Sequence, residues 1–256
     1  MVDAGASKPL VTITGISGFI GSQVCLSFLK CGEFTVRGTV RDCKNEAKIA
    51  PLRKAFGEYF DKVEFVEADL LDAESLTKAI MGSTYVVHTA SPVVFNVPEE
   101  ELIKPAVEGT MAVVKACSVS GVKRCVITSS IAAVCAMAEA DKPDPDTGFY
   151  DETCWSNPDR PEGLNAYVKS KTLAEKAAWD YQKSLPEDKR FELVTICPTL
   201  VLGPTLIPGG FMSGSVVVNN MNGSKTEVSV GQQGIVDVRD VAKHHLEAVR
   251  KPEAAN

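Results

Sequence analysis

Short apolar segments alternate with longer segments of helical periodicity along most of this chain. Strand-like patterns occur around 11–14 and at 35–40, 63–67, 84–89 and 125–128. Helical patterns occupy 20–31, 73–81 and 99–120, and a further one begins near 164. The first strand patterns are almost continuously apolar, as expected for strands covered on both faces by helices. The alternation therefore predicts an α/β fold with a doubly wound parallel sheet.

A glycine-rich turn follows the first strand pattern. The segment reads V-T-I-T-G-I-S-G-F-I-G, with glycines at 15, 18 and 21. Glycines allow a tight turn and close approach of a ligand, and the next helix begins with free N–H groups that attract phosphate. This spacing also occurs in ordinary loops, but here a strand precedes it and an amphipathic helix, ending at Gly32, follows. The context favours binding of a dinucleotide.

The second strand pattern ends in charged residues that bear on the choice of dinucleotide. NAD-preferring sites usually place a carboxylate at this strand end to hold the ribose hydroxyls. This chain has Arg41 there, followed by Asp42, Lys44 and Lys48. An arginine would bind a 2′-phosphate if Asp42 points away, and NADH would be preferred if Asp42 faces the ribose. A solvated charge run is the third interpretation.

The next strand ends carry small and polar residues. Asp69 is a candidate partner for an adenine amino group, or a carboxylate favoured by a helix N-terminus. Thr89, Ala90 and Ser91 form a small turn after the fourth strand pattern, where such sheets bind ligands. His88 precedes them among apolar neighbours and is predicted to be a buried strand residue. The polar, proline-rich segment 139–163 is predicted to be a loop with substrate contacts.

Three later residues form a candidate catalytic set. Tyr167 and Lys171 are four residues apart in a helical pattern, so they lie on one face. A nearby ammonium stabilises phenolate and so makes the tyrosine a stronger proton donor. Ser130, at the end of the fifth strand pattern, is placed to hydrogen-bond a developing oxyanion. A Tyr-x-x-x-Lys pair is also common on solvated helices, so the prediction rests on the combination.

Composition excludes several function classes. The net charge of −6 and the pI near 5.2 argue against nucleic-acid binding. The sequence has neither a signal-peptide pattern nor a long apolar run, which predicts a cytoplasmic protein without membrane contact. Eight cysteines without a C-x-x-C pair and three histidines predict no disulfide framework and no metal site. The length of 256 residues suits one α/β domain with a small appendage.

The motifs together resemble a known family. T-G-I-S-G-F-I-G, V-R-D, A-D-L, H-T-A-S-P, P-A-V-E-G-T, V-I-T-S-S-I-A-A-V, Y-V-K-S-K-T-L-A-E, P-T-L-V-L-G-P and V-D-V-R-D-V-A are similar to landmarks of the extended short-chain dehydrogenase/reductases. The similarity is to the branch of dihydroflavonol reductase and cinnamoyl-CoA reductase. It implies a Rossmann-type fold, NADP(H) as cofactor, and a catalytic set of Ser130, Tyr167 and Lys171.

The resemblance also implies a set of cofactor-binding residues. Lys171 would bind the nicotinamide ribose beside Tyr167, and Arg41 with Lys48 would bind the 2′-phosphate. Asp69 and Leu70 would bind the adenine. The remaining contacts along the dinucleotide would come from Gly15, Ser17, Gly18, Phe19, Ile20, Gly21, Thr89, Ala90, Ser91, Pro198, Thr199, Val201 and Ser213.

Two features depart from the pattern of the family. The segment G-L-N-A-Y-V-K-S-K lacks the N-W-Y-C-Y signature of cinnamoyl-CoA reductases, which argues against that substrate. The chain also ends soon after V-D-V-R-D-V-A, where members of the family usually continue, which indicates either a piece of a longer protein or a shortened member. We therefore predict an NADP-binding unit at 1–202 and a shortened substrate lobe at 203–256, mainly 203–231, with a segment returning to the core. Lobe residues Phe211, Val216, Val217, Val218 and Met221 would then be exposed and favour association, and the protein would be a monomer or homodimer.

The sequence therefore predicts NADPH-dependent reduction of an aldehyde or ketone, a small-molecule carbonyl substrate. A hydroxysteroid-type or other alcohol dehydrogenase would share the same three catalytic residues. A nucleotide-sugar epimerase would need a lobe that grips a diphosphate, and 203–231 offers one basic residue, Lys225. A non-catalytic NADPH binder is the last alternative.

Overall fold

A parallel six-stranded sheet organises the computed structural model, which describes residues 7–91, 98–135, 143, 146–159, 165–208, 213–225 and 234–255. The strand order is β3-β2-β1-β4-β5-β6, and every neighbouring pair is parallel. This is the order of a doubly wound fold, so the predicted fold class is confirmed. The strands are β1 (Leu10–Thr14), β2 (Thr35–Val40), β3 (Val63–Glu67), β4 (Tyr85–His88), β5 (Arg124–Thr128) and β6 (Glu192–Ile196).

Helices connect the strands and cover both faces of the sheet. A glycine in the left-handed conformation ends the first helix at Gly32, as predicted from the sequence, and another ends the fourth helix at Gly121. Among the described residues, no helix has both the length and the apolar character that a membrane crossing requires. The helices are α1 (Phe19–Cys31), α2 (Glu46–Phe56), α3 (Ala73–Ile80), α4 (Glu99–Ser120), α5 (Ile131–Val134), α6 (Ala166–Ser184), α7 (Gly214–Met221) and α8 (Val238–Arg250).

The last helix completes the hydrophobic core on one face of the sheet. Helix α8 packs against α1, and Leu246 shares a buried cluster with Phe28 and Ile13. The buried Arg124, at the start of β5, fastens the end of α8 by donating hydrogen bonds to the carbonyls of Ala248 and Lys251, each at 2.6 Å. On the other face, α4 packs against α3 and α6 over a second buried cluster.

A small second sheet follows the main one. Strands β7 (Leu200–Leu202) and β8 (Ile235–Asp237) pair in parallel, and α7 lies between them in sequence. Val216, Val217, Val218 and Met221 of α7 are exposed, as predicted, and Phe211 lies outside the described residues. The predicted loop 139–163 is described only at 143 and 146–159, where it contains neither helix nor strand.

Candidate active site

The glycine-rich turn leaves no room for side chains between β1 and β4. Gly15 has φ +72°, and a Cβ there would lie 2.8 Å from Cβ of Ala90. A Cβ on Gly21 would lie 2.2 Å from the carbonyl oxygen of Gly15. The Gly18 amide donates to that same oxygen at 2.9 Å, which fixes the turn as α1 begins. The backbone is thus the surface that a ligand meets at the start of α1.

Hydrogen bonds tie the end of β4 to the end of β1. The hydroxyl of Thr89 donates to the Thr14 carbonyl at 2.6 Å, and the Ala90 amide donates to the Thr14 hydroxyl at 3.4 Å. His88 bonds that hydroxyl through Nδ1 at 2.8 Å. Burial lowers the pKa of His88 to about 3, so the ring stays neutral and matches the predicted buried strand residue. The turn lies between β1 and β4, where the strand order reverses. This point is the usual ligand site of such sheets.

The end of β2 presents basic residues to the cleft beside this turn. Arg41 and Lys48 both line the cleft and are exposed. Asp42 also lines it, but its Oδ1 accepts a hydrogen bond from the Lys44 amide at 2.8 Å, within a turn. Asn45, which the sequence analysis did not single out, lies on the same wall. Positive charge is thus available here while one oxygen of Asp42 serves the turn.

Two acidic residues after β3, Asp69 and Asp72, have different hydrogen-bond partners. Asp72 is the N-cap of α3, and its Oδ1 accepts from the amides of Glu74 and Ser75. Asp69 instead accepts from the Leu71 amide at 2.9 Å in the preceding turn and lines the cleft with Leu70. The role of carboxylate at the helix N-terminus therefore falls to Asp72, three residues after the one proposed from the sequence.

The candidate catalytic residues come from two elements, the start of α5 and the first two turns of α6. Ser130 is the N-cap of α5, Tyr167 lies in the first turn of α6, and Lys171 lies one turn further. The Lys171 Nζ donates to Oγ of Ser91 at 3.3 Å and lies 6.0 Å from the centre of the Tyr167 ring. Burial lowers the pKa of Lys171 to about 8, although the charge of Glu175 acts in the opposite direction. An ammonium and a phenol thus lie side by side in a partly dry site.

One cleft of about 1130 Å³ collects these elements. Its volume and its mixed polar and apolar walls fit an extended ligand, and the glycine turn fits a pyrophosphate at one end. Ser129 and Ser215 also line it, although the sequence analysis had not assigned them. Every predicted site residue lies on its walls, and the role of each stays a prediction: Gly15, Ser17, Gly18, Phe19, Ile20, Gly21, Arg41, Lys48, Asp69, Leu70, Thr89, Ala90, Ser91, Ser130, Tyr167, Lys171, Pro198, Thr199, Val201 and Ser213.

Comparison with known proteins agrees with this geometry. Residues 11–256 match the model of the NAD dependent epimerase/dehydratase family. The chain belongs to this family. Within the family, it is 40% identical over 250 residues to cinnamoyl-CoA reductase 1 of Petunia hybrida, covering 97% of this chain and 71% of the relative. It is 34% identical over 257 residues to the bifunctional dihydroflavonol 4-reductase/flavanone 4-reductase of Pyrus communis, covering 98% and 71%.

A solved structure has a similar fold. Gre2 of Candida albicans in complex with NADPH has a TM-score of 0.79 and 32% identity, covering 97% of this chain and 76% of that one. The resemblance to the extended dehydrogenase/reductases and their dihydroflavonol reductase and cinnamoyl-CoA reductase branch is therefore confirmed.

Proposed function

We propose that this protein is an NADPH-dependent reductase that converts an aldehyde or ketone to an alcohol. The observation that carries the proposal is the placement of Tyr167 beside Lys171 in the same cleft as the glycine turn. Two relatives with reductase names and a neighbour solved with NADPH support it.

The walls of the cleft divide into parts that would hold the cofactor. The amides at the start of α1 would bind the pyrophosphate, and Arg41 with Lys48 would bind the 2′-phosphate by charge-assisted hydrogen bonds. Asp69 and Leu70 would flank the adenine. The segments with Thr89 and Pro198 would flank the nicotinamide half. When bound, NADPH supplies the hydride for the carbonyl carbon.

The chain's own residues manage the proton and the developing charge. Tyr167 would donate its hydroxyl proton to the carbonyl oxygen, which becomes the alcohol oxygen. The Lys171 ammonium would stabilise the phenolate that remains and bind the ribose. The hydroxyl of Ser130 would donate a hydrogen bond to the carbonyl oxygen as negative charge develops there. Each role is a separate target for mutation.

A carbonyl panel tests the proposal directly. The purified protein is mixed with NADPH or NADH and a series of aldehydes and ketones, and the loss of reduced-nicotinamide absorbance is followed. We expect turnover of at least one carbonyl with NADPH. Turnover only in the reverse direction with hydroxysteroids or other alcohols would favour a dehydrogenase. Conversion of a nucleotide sugar would favour an epimerase, and NADPH binding without turnover would favour a binding protein.

A further inference from the structure

A buried carboxylate lies behind the candidate catalytic pair. Glu175 is in α6, one turn after Lys171 and two turns after Tyr167, so the three residues follow one face of the helix. Its side chain is only 6% exposed. A buried acidic group is costly unless its charge is compensated by hydrogen bonds or by a nearby positive charge. Its surroundings therefore indicate what the carboxylate does.

The hydrogen-bond partners of Glu175 act as donors. The Ser129 hydroxyl donates to its Oε2, and Nε1–H of Trp179 donates to its Oε1 at 3.4 Å. The thiol of Cys197 donates weakly to Oε2 at 3.7 Å. An ionised carboxylate only accepts hydrogen bonds, so this set of partners suits the charged form.

Glu175 and Lys171 line the same small cavity. The cavity of about 20 Å³ is large enough for one water molecule, and its walls include both residues together with His88, Ser91, Thr128 and Ser129. Both residues therefore border the same space. Because Glu175 is buried, its charge is screened less by water than an exposed charge would be.

The other groups around Lys171 contribute no negative charge at neutral pH. His88 approaches from β4, and burial keeps its ring neutral. Cys197 follows β6, and burial raises the pKa of its thiol to about 12. Tyr167 on the same helix is the proposed proton donor, and Ser91 is uncharged. Among the described residues that surround Lys171, Glu175 is thus the source of negative charge.

We propose that Glu175 is a positioning residue that holds Lys171 in its charged form and thereby keeps Tyr167 an effective acid. The proposal rests on the proposed function, because it assigns Lys171 and Tyr167 to the same reduction. It extends the candidate catalytic set to a residue in the layer behind it. The carboxylate offsets the effect of burial, which by itself favours the neutral amine.

The substitution Glu175→Gln tests this role because glutamine preserves shape and removes the charge. Loss of a buried negative charge lowers the pKa of the Tyr167–Lys171 pair, whichever of the two loses its proton first. We expect the alkaline limb of the reductase rate to move down by about 1 pH unit. Glu175→Asp keeps the charge and should leave the limb near its wild-type position. The matched control is Asp180→Asn, which removes a charge from the exposed face of the same helix.

A second measurement reads Lys171 without any catalysis. The unliganded protein is trace-labelled with acetic anhydride across a pH series, and labelling of the Lys171 peptide is quantified by mass spectrometry. We expect the midpoint for Lys171 to fall by about 1 pH unit in Glu175→Gln and to stay unchanged in Asp180→Asn.

The outcomes separate the two proposals. Unchanged midpoint and unchanged rate limb in a folded Glu175→Gln protein would overturn the role of Glu175. A labelling midpoint below pH 7 for Lys171 in the wild-type protein would overturn the role of Glu175 even if Glu175→Gln fails to fold, because Lys171 would then be mostly uncharged at neutral pH. A midpoint at or above pH 7 would support the role. If the labelling midpoint shifts in Glu175→Gln but the wild-type protein reduces no carbonyl, the effect of Glu175 on Lys171 would stand and the proposed reductase function would be rejected.

Discussion

The glycine turn and helix α7 are two walls of one cleft, and they are built in opposite ways. At the turn, backbone atoms are so close that a Cβ on Gly21 would meet the Gly15 oxygen at 2.2 Å. On α7, Val216 faces the cleft while Val218 is 55% exposed and Met221 is 83% exposed. One wall is fixed by close packing on several sides, and the other is covered by few neighbours.

This difference matches the two tasks of the proposed NADPH-dependent reductase. A wall made of close backbone contacts tolerates almost no side-chain change, so it suits binding of a cofactor, which is the same for every substrate. A wall made of lightly packed side chains can change without disturbing the sheet, so it suits the part that selects a substrate. We therefore expect mutations to have large effects at the first wall and small ones at α7.

The largest effect is expected at Tyr167, which lines the same cleft. Tyr167→Phe removes the acidic proton and should lower kcat by roughly 10²–10⁴-fold with little change in NADPH affinity. Steady-state rates and NADPH fluorescence titration measure the two quantities. The matched control is Tyr181→Phe on the same helix, whose hydroxyl pairs with Ser118 at 2.8 Å, away from the cleft. A loss below about threefold in Tyr167→Phe would reject it as the proton donor.

The next effect tests how strictly the first wall is packed. Gly21→Ala should weaken NADPH binding at least tenfold and lower the free energy of unfolding by about 1–3 kcal/mol, because the new methyl group has no space. Gly109→Ala in α4 is the control, since its Cβ would meet nothing closer than 3.4 Å. Both changes gain helix propensity, so the difference between them measures the steric clash. Equal behaviour in calorimetry would contradict the packing argument.

Cofactor preference gives a smaller effect at the edge of the same wall. We expect NADPH to bind at least tenfold more tightly than NADH, and Arg41→Ala to remove most of that margin by removing a charge-assisted hydrogen bond. NADH affinity should hardly change. Lys44→Ala serves as control, because Lys44 lies in the same turn but is not among the residues lining the cleft. Titration of both cofactors at fixed ionic strength decides, and equal wild-type affinities would disprove the assignment.

The smallest effect is expected at α7. The exposed apolar side chains should cause weak, concentration-dependent association, which Val218→Ser with Met221→Gln should reduce. NADPH affinity should change by less than threefold, since neither residue is among those that line the cleft. Val119→Ser, at a 73% exposed position on α4, is the control. Sedimentation velocity over a range of concentrations measures the change, and a monomeric wild type would contradict this prediction.

The sequence predicts the nucleotide half of the fold in detail because its signals are local. β2, β3 and α4 have the bounds that periodicity indicates, and the stop at Gly32 follows from its left-handed conformation. The ends differ slightly elsewhere: the pattern at 84–89 contains β4 as Tyr85–His88, and β5 begins one residue earlier, at Arg124. Such ends depend on pairing with neighbouring strands rather than on the segment itself.

Other elements escaped the sequence analysis because their signals are weak or depend on distant partners. Helix α2 contains Pro51, which interrupts the helical reading, although Ile49, Leu52 and Phe56 form its buried stripe. Strands β7 and β8 have three residues each and exist through their pairing with each other. The carboxylate of Glu175 was missed because only the folded chain shows which donors approach it. The cap at Asp72 has a local signal, since its donors are the amides two and three residues later, but the sequence analysis considered Asp69 for that role.

Helix α8 also has a consequence for the order in which the chain folds. Its partner α1 is synthesised first, and α8 emerges from a ribosome on the order of 10–40 s later at ordinary elongation rates. During that interval the part of α1 that α8 covers lacks this partner, so the nascent chain presents it to chaperones and to other chains. Contacts between the sequence-distant helices α1 and α8 also raise the mean sequence separation, which slows folding. Closure of the core on this face of the sheet thus requires α8, whose end is fastened by Arg124.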